Sequence, residues 1–260
     1  MRFALIPRKL GTRATLLGAA LPGRGDSMPD DTLWREVTVD PVALARYAHV
    51  CGFTLRDELP PTYPHVLAFG MHMDLLAKAP FSAIGVVHIA NRIVQHRPLR
   101  LGEALSLTAS ASGLSPHRRG RTFDFVTRAH VGGELVWEGF ATNLKRGGGD
   151  ESLPREEGID DPPVTAHWTL EDNLGRQYAA VSGDHNPIHL HAWSAKAFGF
   201  PRAIAHGMWT KARCLAALRT PGAFDVHVRF KKPILLPSRV TFGEAGNRFA
   251  VHGHLEGVFI

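Results

Sequence analysis

Across 260 residues, a 44% hydrophobic and 21% charged composition is that of a folded globular chain, long enough for one large domain or two of ordinary size. No apolar run approaches the ~20 residues of a membrane span, and two cysteines, Cys51 and Cys214, exclude a disulfide framework. The net charge of +6 admits an acidic partner. A nucleic-acid binder is not expected, because the densest basic run, Pro116–Arg121, has no interleaved aromatics and no accompanying motif.

The chain opens with a basic stretch, Met1–Gly23, around a short apolar piece at Ala14–Leu21. It has no clear small-x-small cleavage site, so residues 1–34 are expected to be a loosely ordered cytosolic tail rather than an export signal. Asp40-Pro41 then offers an N-cap and a first-turn proline, and Gly52 a stop, which predicts a helix between them. A longer apolar helix is expected over Ala68–Lys78. Strands rich in β-branched and aromatic residues follow at Ile84–Val94, Ala104–Ser112, Thr122–Val131 and Leu135–Asn143. Residues 146–165 carry Gly, Pro and acidic residues and predict a flexible linker. Beyond it a helix is expected from about Thr169–Glu171 to Gly183, and another over His206–Leu218. Strands are expected at Phe224–Phe230, Arg239–Gly243 and Phe249–His254, with the last strand of this half left open.

The two halves overlay. Tyr47-Ala48…Val50…Gly52 matches Tyr178-Ala179…Val181…Gly183 at an offset of 131, and Pro64…Gly70-Met71 matches Pro201…Gly207-Met208 at 137. Val87-His88-Ile89, Pro98 and Arg100 match Val226-His227-Val228, Pro237 and Arg239 at 139. A slowly drifting offset marks one duplication, with units at 35–145 and 166–260. Each unit, a long helix followed by an antiparallel sheet that wraps it, predicts the α+β class and a double hotdog. The recurrence of His88 and His227 suggests a shared structural role.

The chemistry concentrates in Gly183-Asp184-His185-Asn186-Pro187-Ile188-His189. Asp184 and His189 are the right types to hold and activate one water, and Pro187 stiffens the turn that presents them. Downstream, Ala205-His206-Gly207-Met208 reads as a helix start whose free N–H groups could polarise a carbonyl. The first half has Phe53 where the second has Asp184, and no Asn-Pro-x-His follows, so one active site per chain is expected. Metal binding by His185, His189 and His191 is a weaker reading, since the run lacks helical His-Glu-x-x-His spacing and cysteine ligands. Ser182 lacks a nucleophile elbow, and Cys214 has no evident partner.

This loop, together with Phe200-Pro201…Ala205-His206-Gly207-Met208, resembles the hydratase-2 signature of the MaoC-like (R)-specific enoyl-thioester hydratases and 3-hydroxyacyl dehydratases, which adopt the hotdog fold. Thr62-Tyr63-Pro64, Val87-His88, Gln95-His96-Arg97-Pro98 and His117-Arg118-Arg119-Gly120 look like the two-hotdog 3-hydroxyacyl-carrier-protein dehydratases of actinobacteria, over about residues 35–255. The resemblance implies a cytoplasmic hydro-lyase that interconverts trans-2-enoyl and (R)-3-hydroxyacyl thioesters of coenzyme A or acyl carrier protein, with no cofactor and no metal. Asp184, His189, Asn186 and the backbone N–H of Gly207 would be catalytic. His206, Phe69, Arg229, Lys231 and Lys232 would meet substrate, the three cations facing its phosphates, and Phe69 lies on the apolar helix of a first half that holds the acyl chain. Carrier-protein docking and a homodimer fit the same resemblance. Two alternatives stay open on sequence: a hotdog thioesterase, and a non-catalytic acyl-thioester binder.

Overall fold

The computed structural model describes the backbone of residues 3–5 and residues 27–260 in full; the rest of the basic N-terminal stretch, with its export or tail reading, lies outside the described residues. The first half contains β1 (Phe3–Leu5), β2 (Thr32–Thr38), α1 (Pro41–Cys51), α2 (Tyr63–Ala77), β3 (Val86–Gln95), β4 (Ala104–Ala111), β5 (Ser115–His117), β6 (Gly120–Val131) and β7 (Glu134–Arg146). The second contains β8 (Val164–Leu170), α3 (Leu174–Ser182), α4 (Pro187–Leu190), α5 (Ala192–Lys196), α6 (Gly207–Ala217), β9 (Phe224–Phe230), β10 (Ser238–Ala245), β11 (Arg248–Val251) and β12 (Leu255–Phe259). Among these, no helix is long and apolar enough to cross a membrane.

All the strands join one sheet in the order β1-β2-β4-β6-β7-β3-β9-β12-β11-β10-β8, with β5 paired to β6. The duplication is visible in that order. From the shared seam outward, the first half runs β3, β7, β6, β4, β2 and the second β9, β12, β11, β10, β8. The seam is the antiparallel pair β3–β9, with Ile93 opposite Val226, and the Arg92 side chain bonds the carboxylate of Asp225 across it. The fold is the α+β double hotdog that the pattern predicts.

Local signals explain the helix ends. Asp40 Oδ1 accepts the Val42 N–H at 3.0 Å, Pro41 opens α1, and Gly52 closes it at φ 79°, a left-handed position that favours glycine. α2 begins at Tyr63, five residues before the expected start, because Pro64 sits in its first turn. Apolar around most of its circumference, this helix buries Ala68, Met71, Leu75 and Leu76.

Three further boundaries differ from expectation. β2 begins inside the stretch read as tail. α3 begins at Leu174, because the segment from Val164 to Leu170 is an edge strand paired with β10. The final expected strand, Phe249–His254, divides into β11 and a turn, and β12 completes the sheet, with the Phe249 ring lying where a Cβ on Gly257 would be (2.2 Å). The segment read as a flexible linker is tethered at both ends. Arg118 donates to the carbonyls of Glu151 and Leu153, and Ile159 N–H donates to Glu256 Oε2 at 3.2 Å.

Candidate active site

The Asp184–His189 loop is assembled by short-range hydrogen bonds. α3 ends at Ser182, and Gly183 (φ 77°) turns the chain so that Asp184 follows. Asp184 Oδ1 accepts the Asn186 N–H at 3.1 Å, and Asn186 Oδ1 caps α4 by accepting the Ile188 N–H at 3.3 Å. Asn186 therefore caps the helix that carries His189, through a side-chain bond to the backbone. His189 Nδ1 lies 2.8 Å from the Ile204 carbonyl. A carbonyl can only accept, so Nδ1 carries the proton and neutral His189 keeps Nε2 as a lone-pair base. Burial holds its pKa below the ordinary imidazole value, against the opposing pull of the Asp184 carboxylate and the Ile204 carbonyl.

His206 locks the loop from the other side. Its Nε2–H donates to the Asp184 carbonyl at 3.0 Å, and its ring stacks on His189 with centroids 3.6 Å apart. Only 2% exposed, it has a pKa pushed well down by burial and then by His189. Donor atoms of Asp184, His189 and His206 lie within 4.8 Å of one another. These three, and not His185 or His191, are the residues that could approach an ion together. Each ring already has one nitrogen committed to a carbonyl. His191 instead stacks on Trp193 at 5.8 Å.

α6 supplies the donor end. Its N-cap, His206, offers no side-chain cap, and the first N–H bonded back into the helix is that of Thr210, to the His206 carbonyl at 3.1 Å. A Cβ on Gly207 would meet the Phe230 ring at 3.1 Å, so glycine gives closer backbone access there. The Trp209 indole N–H bonds the Val50 carbonyl at 2.9 Å and ties α6 to α1 across the two halves.

Asp184, His189 and Gly207 open on one cavity of about 1520 Å³ that continues into the first half. Phe69 lines it, with its ring 3.9 Å from the Cβ position of Gly183, so the acyl-side and loop-side expectations meet there. Lys231 and Lys232 also reach its wall. Arg229 does not belong to that wall. It is engaged by Glu156 at 3.0 Å and by the buried Glu256, which also takes Lys231 at 3.0 Å. Of the three expected cations, Lys232 is the one on the wall outside this ion-pair network.

Two contributors were missed in the sequence. A Cβ on Gly175 would fall 1.8 Å from the His189 carbonyl oxygen, so glycine there lets α3 pack against the backbone of His189. A glycine inside a helical pattern beside the motif was the available signal. Ile204 acts through its carbonyl, which side-chain chemistry does not reveal. One reading changes as well: His88 lines the cavity, whereas His227 is on the other face of its strand. A bulge at Ile89 shifts the register of β3 against β7, so residues before it face the opposite side.

The sequence pattern of the MaoC like domain family matches residues 156–247. The 3-hydroxyacyl-thioester dehydratase X of Mycobacterium tuberculosis is 39% identical over 224 residues, which cover 83% of this chain and 80% of that protein. The crystal structure of HtdX from the same organism superposes with a TM-score of 0.77 at 35% identity, covering 88% of this chain and 98% of that one. The peroxisomal enoyl-CoA hydratase 2 of Arabidopsis thaliana is 26% identical over 150 residues, 51% of this chain and 48% of that protein.

Proposed function

This chain belongs to the MaoC-like dehydratase family, a hydro-lyase acting on enoyl and 3-hydroxyacyl thioesters, and from that premise we propose that Asp184 and His189 are the pair that moves water. In the hydration direction one water donates to the Asp184 carboxylate and to His189 Nε2 beside the β-carbon of a trans-2-enoyl thioester. As its oxygen bonds to the β-carbon, a proton passes to the pair, and a proton passes from the pair to the α-carbon on the same face. The atoms of one water are added, and the product is the (R)-3-hydroxyacyl thioester. Dehydration is the reverse path.

The Gly207 N–H polarises the thioester carbonyl and stabilises the enolate-like charge that develops there. One such donor is worth about 3 kcal/mol in comparable sites. Asn186 holds α4 at the right entry angle, and His206 holds the loop backbone. The observation that carries this reading is the His189 tautomer: with Nδ1 committed to Ile204, a basic Nε2 is left beside a carboxylate at the wall of a large cavity.

The thioester handle is phosphopantetheine, on coenzyme A or an acyl carrier protein. Lys232, Arg119 and Arg146 on the cavity wall supply cations for its phosphates or for an acidic carrier. A cytoplasmic location, which the two buried free thiols fit, and a homodimer complete the proposal.

The test is to mix purified protein with crotonyl-CoA, follow loss of the conjugated enoyl-thioester absorbance, and determine the configuration of the product. An (R)-3-hydroxy product without free thiol supports the reading. Thiol release would move the chemistry to the thioesterases, and an (S) product would overturn the proposed geometry.

A further inference from the structure

Away from Asp184, the cavity wall in the first half is built from imidazoles as well as hydrocarbon. His65 and His72, seven residues apart on α2, lie on one helix face with 8% and 2% exposure. His88 joins them from β3 because the bulge at Ile89 turns it inward. All three line the cavity that Asp184, His189 and Gly207 open on.

The rings form a continuous row. Phe230 abuts Gly207, and His88 meets Phe230 edge-on with centroids 5.1 Å apart. His65 stacks on His88 at 6.0 Å, His72 follows at 5.1 Å, and Phe125 stacks on His72 at 5.0 Å. Near this row the buried Lys211 Nζ, its pKa pushed well down by burial, donates to the Asn91 carbonyl at 3.0 Å and to its side-chain oxygen at 2.7 Å.

A pocket for a plain alkyl chain has no use for such a row. Burying an imidazole is costly unless its nitrogens find partners. His72 has one, Thr127 Oγ1 at 2.7 Å, whereas the buried Nε2 of His88 has none. The three rings are also neutral. Burial pushes His72 down to about 3 and His88 down to about 4, and His65 lies well below its ordinary value for the same reason. Neutral imidazoles each offer one donor and one acceptor but no charge. They suit an uncharged oxygen and give a carboxylate no counter-ion.

We propose that the acyl chain used by this site carries a keto or hydroxyl oxygen in the part lying beyond Phe230, and that His65, His72 and His88 recognise it. The inference deepens the hydratase reading and rests on it.

The experiment compares kcat/KM for trans-2-enoyl-CoA thioesters of rising chain length, each paired with the same chain bearing a keto or hydroxyl group toward its far end. At one chain length the oxygenated member is expected to exceed its plain partner by about two- to tenfold, the range of one net hydrogen bond. His72→Phe and His65→Leu are expected to bring that ratio close to one. Turnover of plain chains with no oxygenated preference at any length in the unmodified protein overturns this inference alone. No turnover of any thioester, plain or oxygenated, overturns the hydratase reading and this inference with it. The comparison in the unmodified protein decides the matter even if a variant fails to fold.

Discussion

The two halves of this molecule share one frame but differ where the proposed chemistry lies. Their strands run in the same order from the seam, and α1 and α3 end alike, at Gly52 with φ 79° and Gly183 with φ 77°. The next residue separates them. Phe53 packs against the core, and Asp184 stands at a cavity with 28% of its side chain exposed. After Gly52 residues 53–62 lead without a helix to the fifteen-residue α2, whereas after Gly183 the chain makes two short helices, the first carrying His189, before the eleven-residue α6. In the proposed function this duplicated scaffold supplies the chemistry in one copy, while the cavity extends into the other.

The comparison is broken most directly at the loop. Asp184→Asn keeps the shape and the Oδ1 acceptor for the Asn186 N–H but removes the carboxylate, so kcat on an enoyl thioester is expected to fall by about 10²- to 10⁴-fold. Circular dichroism and melting temperature should hardly move. A variant within about threefold of the unmodified enzyme would remove Asp184 from the mechanism.

Next in size is an acid transition that reports on the first half. His72 and His88 have folded pKa values of about 3 and about 4, below the 6.5 of an exposed imidazole. The unfolded chain therefore binds protons that the folded chain refuses. Stability is full above a pH of about 6.5 and falls as pH drops through about 4 and then about 3. Denaturant midpoints measured across this window are expected to decline steadily. His72→Phe, which removes one of the refused protons, should flatten the slope. An unchanged slope in that variant would mean that His72 is not buried and neutral.

How much of this was legible beforehand depended on how local the signal was. Both ends of α1 and the C-terminal stop of α3 follow from Asp-Pro and Gly within a few residues, and the Asp184–His189 loop is written in consecutive letters. β8 gives no strand signal because its residues alternate with little apolar contrast: along Val164–Leu170 only Leu170 is buried, as fits an edge strand. The imidazole row was unreadable for a different reason. His88 was paired with His227 by sequence offset, and only a bulge, a matter of backbone register, turns one of them into the cavity. Gly175 and the Ile204 carbonyl contribute backbone geometry, which no side-chain pattern records.

A smaller effect is expected at the helix start proposed to polarise the thioester. In Gly207→Ala the new methyl meets Phe230 at 3.1 Å, so ring and backbone must separate by a few tenths of an ångström. The N–H donor survives but moves. We expect kcat/KM to fall by about tenfold, well short of the 10²- to 10³-fold reported by complete loss of such a donor. A loss confined to KM would mean that Gly207 contacts the substrate without stabilising the transition state.

The duplicated position gives the smallest effect and the opposite sign. Gly70 aligns with Gly207 in the repeat, but it lies inside α2, and a Cβ there would have no atom within 4 Å. A glycine in a helix interior costs roughly 1 kcal/mol relative to alanine, through the freedom it retains when unfolded. Gly70→Ala is therefore expected to raise the melting temperature by about 2–4 °C. Since Gly70 is on the cavity wall, the added methyl also narrows the space for long acyl chains, and any loss of activity should grow with chain length. A loss as large for crotonyl-CoA as for long chains would place Gly70 at the reacting end of the cavity, and the division of labour between the halves would then have to be redrawn.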